Sequence, residues 1–143
     1  EGVVLALHRL GRVPRSISPE SYQENPEWER LHRAFHRSLI AGCGSHWLLV
    51  FCDQLADQAY RHRQLSAQQV FPKRKEGNEH QAIVDAAFRR DADQAVALLC
   101  EHYRKTADII VETGSGVPQA LPATVTRLPE TRKRSKPPAA TER

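Results

Sequence analysis

The stretch Asn25-Pro26-Glu27-Trp28-Glu29-Arg30-Leu31-His32-Arg33-Ala34-Phe35-His36-Arg37-Ser38-Leu39 decides the fold class. It opens as a helix opens. Asn25 suits the N-cap, Pro26 the first helical position, and Glu27 sets a negative charge against the helix dipole. Trp28, Leu31, Phe35 and Leu39 then recur at helical spacing and form one apolar stripe, which Gly42 or Gly44 ends. A stripe of that kind needs other helices to cover it.

The flanking sequence offers them. Upstream, Val3, Val4, Leu7 and Leu10 read as the end of a helix, followed by a loop with Pro14 and Pro19. Downstream, Ser45 caps a segment that runs through Leu48, Phe51, Leu55 and Ala59 to about Ser66, and Pro72 breaks the chain. Asn78-Glu79-His80-Gln81 reads as a capping box, with Ile83, Ala87 and Phe88 behind it. Asp91-Ala92-Asp93-Gln94 reads as a second box, opening a helix with Ala95, Leu98, Leu99 and Ile109 on its inner face. No strand-like alternation, GxGxxG or P-loop is present. The expected class is an all-α antiparallel helical bundle.

The 143 residues are 40% hydrophobic and 27% charged, enough for one domain. Residues 1–112 carry fifteen Lys/Arg and fifteen Asp/Glu; the excess of +4 lies beyond them, where six basic residues face two acidic ones. The body therefore has no compositional case for phosphate binding. Residues 113–143, with five prolines and the run Arg132-Lys133-Arg134-Ser135-Lys136, are expected to be a disordered basic tail. No apolar run approaches the ~20 residues that span a bilayer, so no membrane partner is expected. The chain lacks Met, starts at Glu1 and shows no signal peptide, which reads as a fragment without its N-terminal part. Cys43, Cys52 and Cys100 form no CxxC pattern and suggest reduced thiols in the cytoplasm.

Four of the seven histidines form a geometric set. His32 and His36 are i,i+4 and lie on one helix face beside the apolar stripe. His80 shares a face with Ile83, Val84 and Ala87, and His102 with Leu98, Leu99 and Thr106. His80 lies eleven residues before Asp91 and His102 eleven after it. At ~1.5 Å of rise per residue, antiparallel helices joined there set both at one height, roughly 16 Å from the turn. Two converging imidazoles plus an i,i+4 pair from a facing helix make four nitrogens inside a bundle, a favoured place for a metal. His8, His46 and His62 have no such partners.

Several fragments, in order across residues 3–112, resemble the FCD family, the effector-binding domain of FadR-type GntR transcription regulators. They are Leu31-His32-Arg33-Ala34-Phe35-His36-Arg37-Ser38-Leu39, Arg61-His62-Arg63, Glu79-His80-Gln81-Ala82-Ile83, Arg90-Asp91-Ala92-Asp93-Gln94-Ala95 and Glu101-His102-Tyr103-Arg104-Lys105-Thr106. The 22-residue step from His80 to His102 is typical of its metal-binding members. Trp47-Leu48-Leu49 with Asp57-Gln58-Ala59 and Arg61-His62-Arg63 further resembles the glutarate-responsive carbon-starvation repressor type. The resemblance implies a bundle of six or seven helices in the full domain, here truncated at its N-terminus, with a divalent metal at its centre and an organic-acid effector beside it.

His36, His80 and His102 match the three family histidines, while His32 stands where many members have Asp. Four neutral imidazoles would leave a divalent ion with about +2, against about +1 with Asp, and a carboxylate effector would supply the missing negative charge. The alternative is that His32 stays out and solvent or effector completes a three-histidine site. A His-rich set suits zinc or nickel first, and also copper or iron. Arg61 and Arg63 match the family's basic pair, which would clamp the effector carboxylate. They are i,i+2, about 200° apart, so at most one should face the pocket, with Arg63 preferred.

The expected function is effector sensing and dimerisation in a bacterial transcription repressor. Operator DNA would be met only through a winged helix-turn-helix domain absent from this fragment. No catalysis is expected: HExxH and the Glu-x-x-His pairs of di-iron bundles are missing, and Glu79 and Glu101 project about 100° from their neighbouring histidines. The rival readings are a helical metal-dependent enzyme and a metal-free structural bundle with core histidines.

Overall fold

A computed structural model describes residues 2–114. Among them are five helices: α1 (Gly2–Gly11), α2 (Pro26–Ile40), α3 (His46–Val70), α4 (Glu76–Phe88) and α5 (Ala92–Glu112). The expected disordered tail lies outside the described residues, apart from Thr113 and Gly114 next to the end of α5. No described helix is long and apolar enough to cross a membrane.

The start signals act as their chemistry dictates. The Asn25 side chain accepts hydrogen bonds from the backbone N–H of Glu27 (3.2 Å) and Trp28 (3.4 Å). Ser45 accepts from Leu48 at 3.2 Å and Asp91 from Gln94 at 3.0 Å. Gly44, at φ +71°, supplies the left-handed turn before α3.

Two boundaries differ from the sequence reading. Helix α3 runs to Val70, past Ser66, because Ser66 and Ala67 are buried and nothing before Pro72 stops the helix. Helix α4 starts at Glu76, not after Asn78, and its N-cap Lys75 makes no side-chain cap bond. The expected capping box does not form: Asn78 lies inside the helix, and the Gln81 side chain donates to Asp85 at 2.8 Å. The Glu79 carboxylate is taken by Arg74 and His102. Glu76 is likewise taken, by Arg15.

The core forms where α1 and α2 cross α4. Leu10, Trp28, Leu31, Phe35 and Val84 make one buried cluster, with Val3, Ala6, Leu7, Val13 and Leu39 packed on it. In α4 the inner positions are Ile83, Val84 and Ala86, whereas Ala87 and Phe88 face outward. Helix α3 buries little of its apolar surface; its buried residues are Ser66 and Ala67. Leu48, Phe51 and Leu55 are exposed, beside Trp47 at 82% exposure. Its ties to α2 are polar: Arg33 to Asp57, Arg37 to Asp53 and Arg63 to Glu29. The backbone of α2 stays apart from those of α4 and α5, and the space between is filled by the four histidine rings.

Phe35 is 0% exposed and touches the rings of both His36 and His80. Phe35→Ala is expected to destabilise the chain by about 3–5 kcal/mol, read as a lower urea midpoint at unchanged m-value. A loss below ~1 kcal/mol would mean that this core does not hold α2 in place.

Candidate metal centre

His32 and His36 come from successive turns of α2, His80 from the second turn of α4, and His102 from the middle of α5. One ring nitrogen from each falls within 4.8 Å of all the others. The matched heights of His80 and His102 bring their ring centroids to 4.8 Å, and His36 lies 5.1 Å from His102 and 5.2 Å from His80. The His32 ring stacks on Trp28 at 4.5 Å. His32, His80 and His102 are buried and His36 is half-buried.

The outward-facing nitrogens have partners from every side. His102 Nδ1 lies 2.7 Å from Glu79, His36 Nδ1 lies 3.2 Å from the Tyr103 hydroxyl, and His32 Nδ1 lies 3.1 Å from the Arg63 guanidinium. These contacts turn Nε2 inward, and the Nε2 atoms of His32 and His36 meet at 3.0 Å. His80 Nε2 is buried and makes no hydrogen bond. An orphaned, buried imidazole nitrogen amid three other inward nitrogens is the donor set a transition metal takes, so the residues fit such an ion.

Burial keeps these rings neutral. Desolvation, then the neighbouring histidines and Arg63, hold His32 and His36 well below the ordinary imidazole value. His80 is lowered to about 3, chiefly by burial. Burial also lowers His102, against the opposing pull of Glu79. His102 and Glu79 are therefore joined by a neutral N–H donating to a carboxylate. Desolvation pushes Glu79 up, but hydrogen bonds from Arg74 and His102 outweigh it and bring Glu79 down to about 2.

A cavity of about 850 Å³ opens between α2, α3 and α5, with His32, His36, His102, Arg63 and Tyr103 on its wall. His80 lies on the far side, lining a second cleft against α1. Arg63 faces the first cavity and also pairs with Glu29 at 3.0 Å; Arg61 is exposed and lines neither space. Sequence reasoning missed Glu29, Glu79, Arg74, Arg15 and Tyr103 as site residues. Glu79 does project away from His80, but onto the ring of His102 across the helix pair. Arg74 anchors that contact, donating to Glu79 at 2.7 Å and to the Thr106 hydroxyl at 2.9 Å. Arg15 enters from the α1–α2 loop, stacks over Trp28 at 5.5 Å, and carries an unpartnered buried Nε.

A helical bundle with a histidine centre beside a ligand-sized cavity is the class of domain these features define. The FCD domain family matches residues 6–105, and the chain belongs to that family. An HTH-type transcriptional regulator, BphR, of Paraburkholderia xenovorans (strain LB400) is 32% identical over 112 residues, covering 78% of this chain and 46% of BphR. The HTH-type transcriptional repressor GlaR of Escherichia coli (strain K12) is 34% identical over 121 residues, covering 80% of this chain and 53% of GlaR. The chain thus spans about half the length of these relatives, both of which are named as regulators and neither as an enzyme. No solved structure gives a significant match. The resemblance to FadR-type GntR regulators holds.

The neutral imidazoles set a pH dependence. In the unfolded chain they bind protons near 6.5, whereas folded His80 resists until about 3. Stability from these groups is complete above about pH 6.5 and is lost as pH falls. The metal-free chain in EDTA should lose roughly 5 °C or more of Tm between pH 7.5 and pH 5. A flat Tm over that range would mean that the rings charge freely and are not buried as described.

Proposed function

We propose that this chain is the effector-sensing and dimerisation part of a GntR-type transcription regulator, with a small carboxylate recognised at a metal centre. The observation that carries the reading is the buried nitrogen set with its unpartnered His80 Nε2. His36, His80 and His102 would hold a divalent transition metal, zinc or nickel first, with His32 as a candidate fourth ligand. When bound, the ion supplies a Lewis-acidic positive charge that attracts an anion.

The electrostatics favour an acid effector. The imidazoles add no negative charge, and the nearby Arg63 and Arg74 are balanced by Glu29 and Glu79. A divalent ion would leave the centre positive, and a carboxylate in the adjoining cavity would neutralise it. Arg63 is the cavity-facing arginine suited to grip that carboxylate; Arg61 is not placed to do so. A carboxylate that prefers one helix arrangement would shift the population of the bundle toward it. Operator DNA would be met through a helix-turn-helix part beyond this chain, and such a regulator would work in the cytoplasm. A second copy of the chain is the expected protein partner, and the exposed Trp47, Leu48, Phe51 and Leu55 supply apolar surface for pairing.

The test uses the untagged chain. Elemental analysis is expected to give about one transition metal per chain, and His80→Ala/His102→Ala is expected to lose it. Short mono- and dicarboxylates should then raise the Tm of the metal-loaded chain but not of the EDTA-treated one; a hundredfold excess over Kd supplies about 2.7 kcal/mol. No metal after reloading, with no carboxylate effect, would return the histidines to a packing role. Sedimentation velocity checks the dimer: a monomer at micromolar concentration contradicts that part.

A further inference from the structure

We propose that Arg63 decides whether His32 can join the metal, so that an anion in the cavity and the metal strengthen each other's binding. The inference rests on the metal-centre reading and adds to it a switch.

Hydrogen-bond donors and acceptors around His32 fix where its proton sits. A guanidinium only donates, so His32 Nδ1, 3.1 Å from Arg63, must accept. A neutral imidazole has one proton, which therefore sits on His32 Nε2. That atom is 3.0 Å from His36 Nε2 and donates to it. The proton of His36 is then on Nδ1, 3.2 Å from the Tyr103 hydroxyl oxygen, which accepts. The chain Arg63, His32, His36, Tyr103 is consistent at every link.

A metal ligand must offer a lone pair, and here the four histidines divide. Glu79 accepts the Nδ1 proton of His102 at 2.7 Å, which leaves the inward nitrogen of His102 bare. Arg74 also approaches that Nδ1, at 3.4 Å, but its closer bonds go to Glu79 and the His102 carbonyl. His32 is set the opposite way: its inward nitrogen is protonated and its donation occupies the lone pair of His36. Arg63 thus holds His32 in the tautomer that cannot ligate, and adds a positive charge beside it.

Arg63 also lines the cavity, so an anion bound there competes with His32 for its N–H groups. Once Arg63 turns to the anion, the His32 proton can move from Nε2 to Nδ1. Glu29, one turn earlier on α2 and already paired with Arg63 at 3.0 Å, is the acceptor at hand. His32 would then present a bare Nε2 and His36 would recover its lone pair, so that both could serve as ligands beside His80 and His102. Coupling of this kind is reciprocal: the anion tightens the metal as much as the metal tightens the anion.

The experiment uses Co(II) as probe, with affinity from competition against a chromophoric chelator and coordination from the visible spectrum. Arg63→Met should bind Co(II) at least tenfold tighter than the parent and show a more intense, tetrahedral spectrum. In a His32→Ala background, adding Arg63→Met should change the affinity less than threefold. A gain that survives in the double variant would mean simple charge removal and overturn the proposal. Equal affinity of parent and Arg63→Met would also overturn it. No Co(II) on any form would remove the metal-centre reading itself. A measurement without substitution guards against misfolding: long-range 15N–1H spectra of the metal-free parent should give the Nε2–H tautomer for His32 and Nδ1–H for His36 and His102. An Nδ1–H His32 contradicts the proposal.

Discussion

Burial of four imidazoles in one small space is the constraint on which the structure turns. Charging any of them there is costly, since each charge would meet low-dielectric packing and three like neighbours. The rings must stay neutral, and each neutral ring has one proton to place and one lone pair to satisfy. The surrounding protein handles the outer nitrogens through Glu79, Tyr103 and Arg63. It leaves the inner ones to each other, and one, His80 Nε2, to nothing. A bundle selected for stability alone would fill this space with leucines. Retaining an orphaned donor set beside a cavity makes sense when something else completes it.

The rest of the architecture serves that space. Helices α1, α2 and α4 form the apolar core and fix His32, His36 and His80. Helix α5 brings His102, held in orientation by Glu79 and Arg74. Helix α3 bounds the cavity with little apolar burial of its own and is joined to α2 mainly by ion pairs. The Arg33 and Arg37 pairs are exposed and contribute little each, so apart from the part-buried Arg63–Glu29 pair α3 is held to α2 only loosely. A ligand between α2 and α3 would act where its own contacts could decide the balance.

Much of this was legible in the residues. The stripe from Trp28 to Leu39, the caps at Asn25, Ser45 and Asp91, and the equal spacing of His80 and His102 about Asp91 are local or periodic signals, and each led to the right element. The helix ends at Ser66 and Asn78 were misplaced because the burial of Ser66 and the pairing of Glu76 with Arg15 are tertiary facts. The facing of α3 was not assigned: Leu48, Phe51, Leu55 and Ala59 show helical spacing, but spacing does not say that Leu48 and Ala59 line a cavity while Phe51 and Leu55 stay exposed. Angles on a helix said that at most one of Arg61 and Arg63 faces the pocket, and the place of Arg63 one turn beyond Ala59 favoured it. Arg15, Arg74 and Glu29 carry no periodic signal that marks them as site residues. Tyr103 and Glu79 stood beside named histidines without revealing that they serve a different histidine.

The central claim is that the inward nitrogens of His36, His80 and His102 form a metal centre. Anomalous diffraction from crystals of the zinc-loaded chain tests it most directly. One strong peak is expected in the bundle centre, about 2.0–2.1 Å from the Nε2 atoms of these three histidines. A peak only at surface histidines, or none in the centre at full zinc loading, would contradict it.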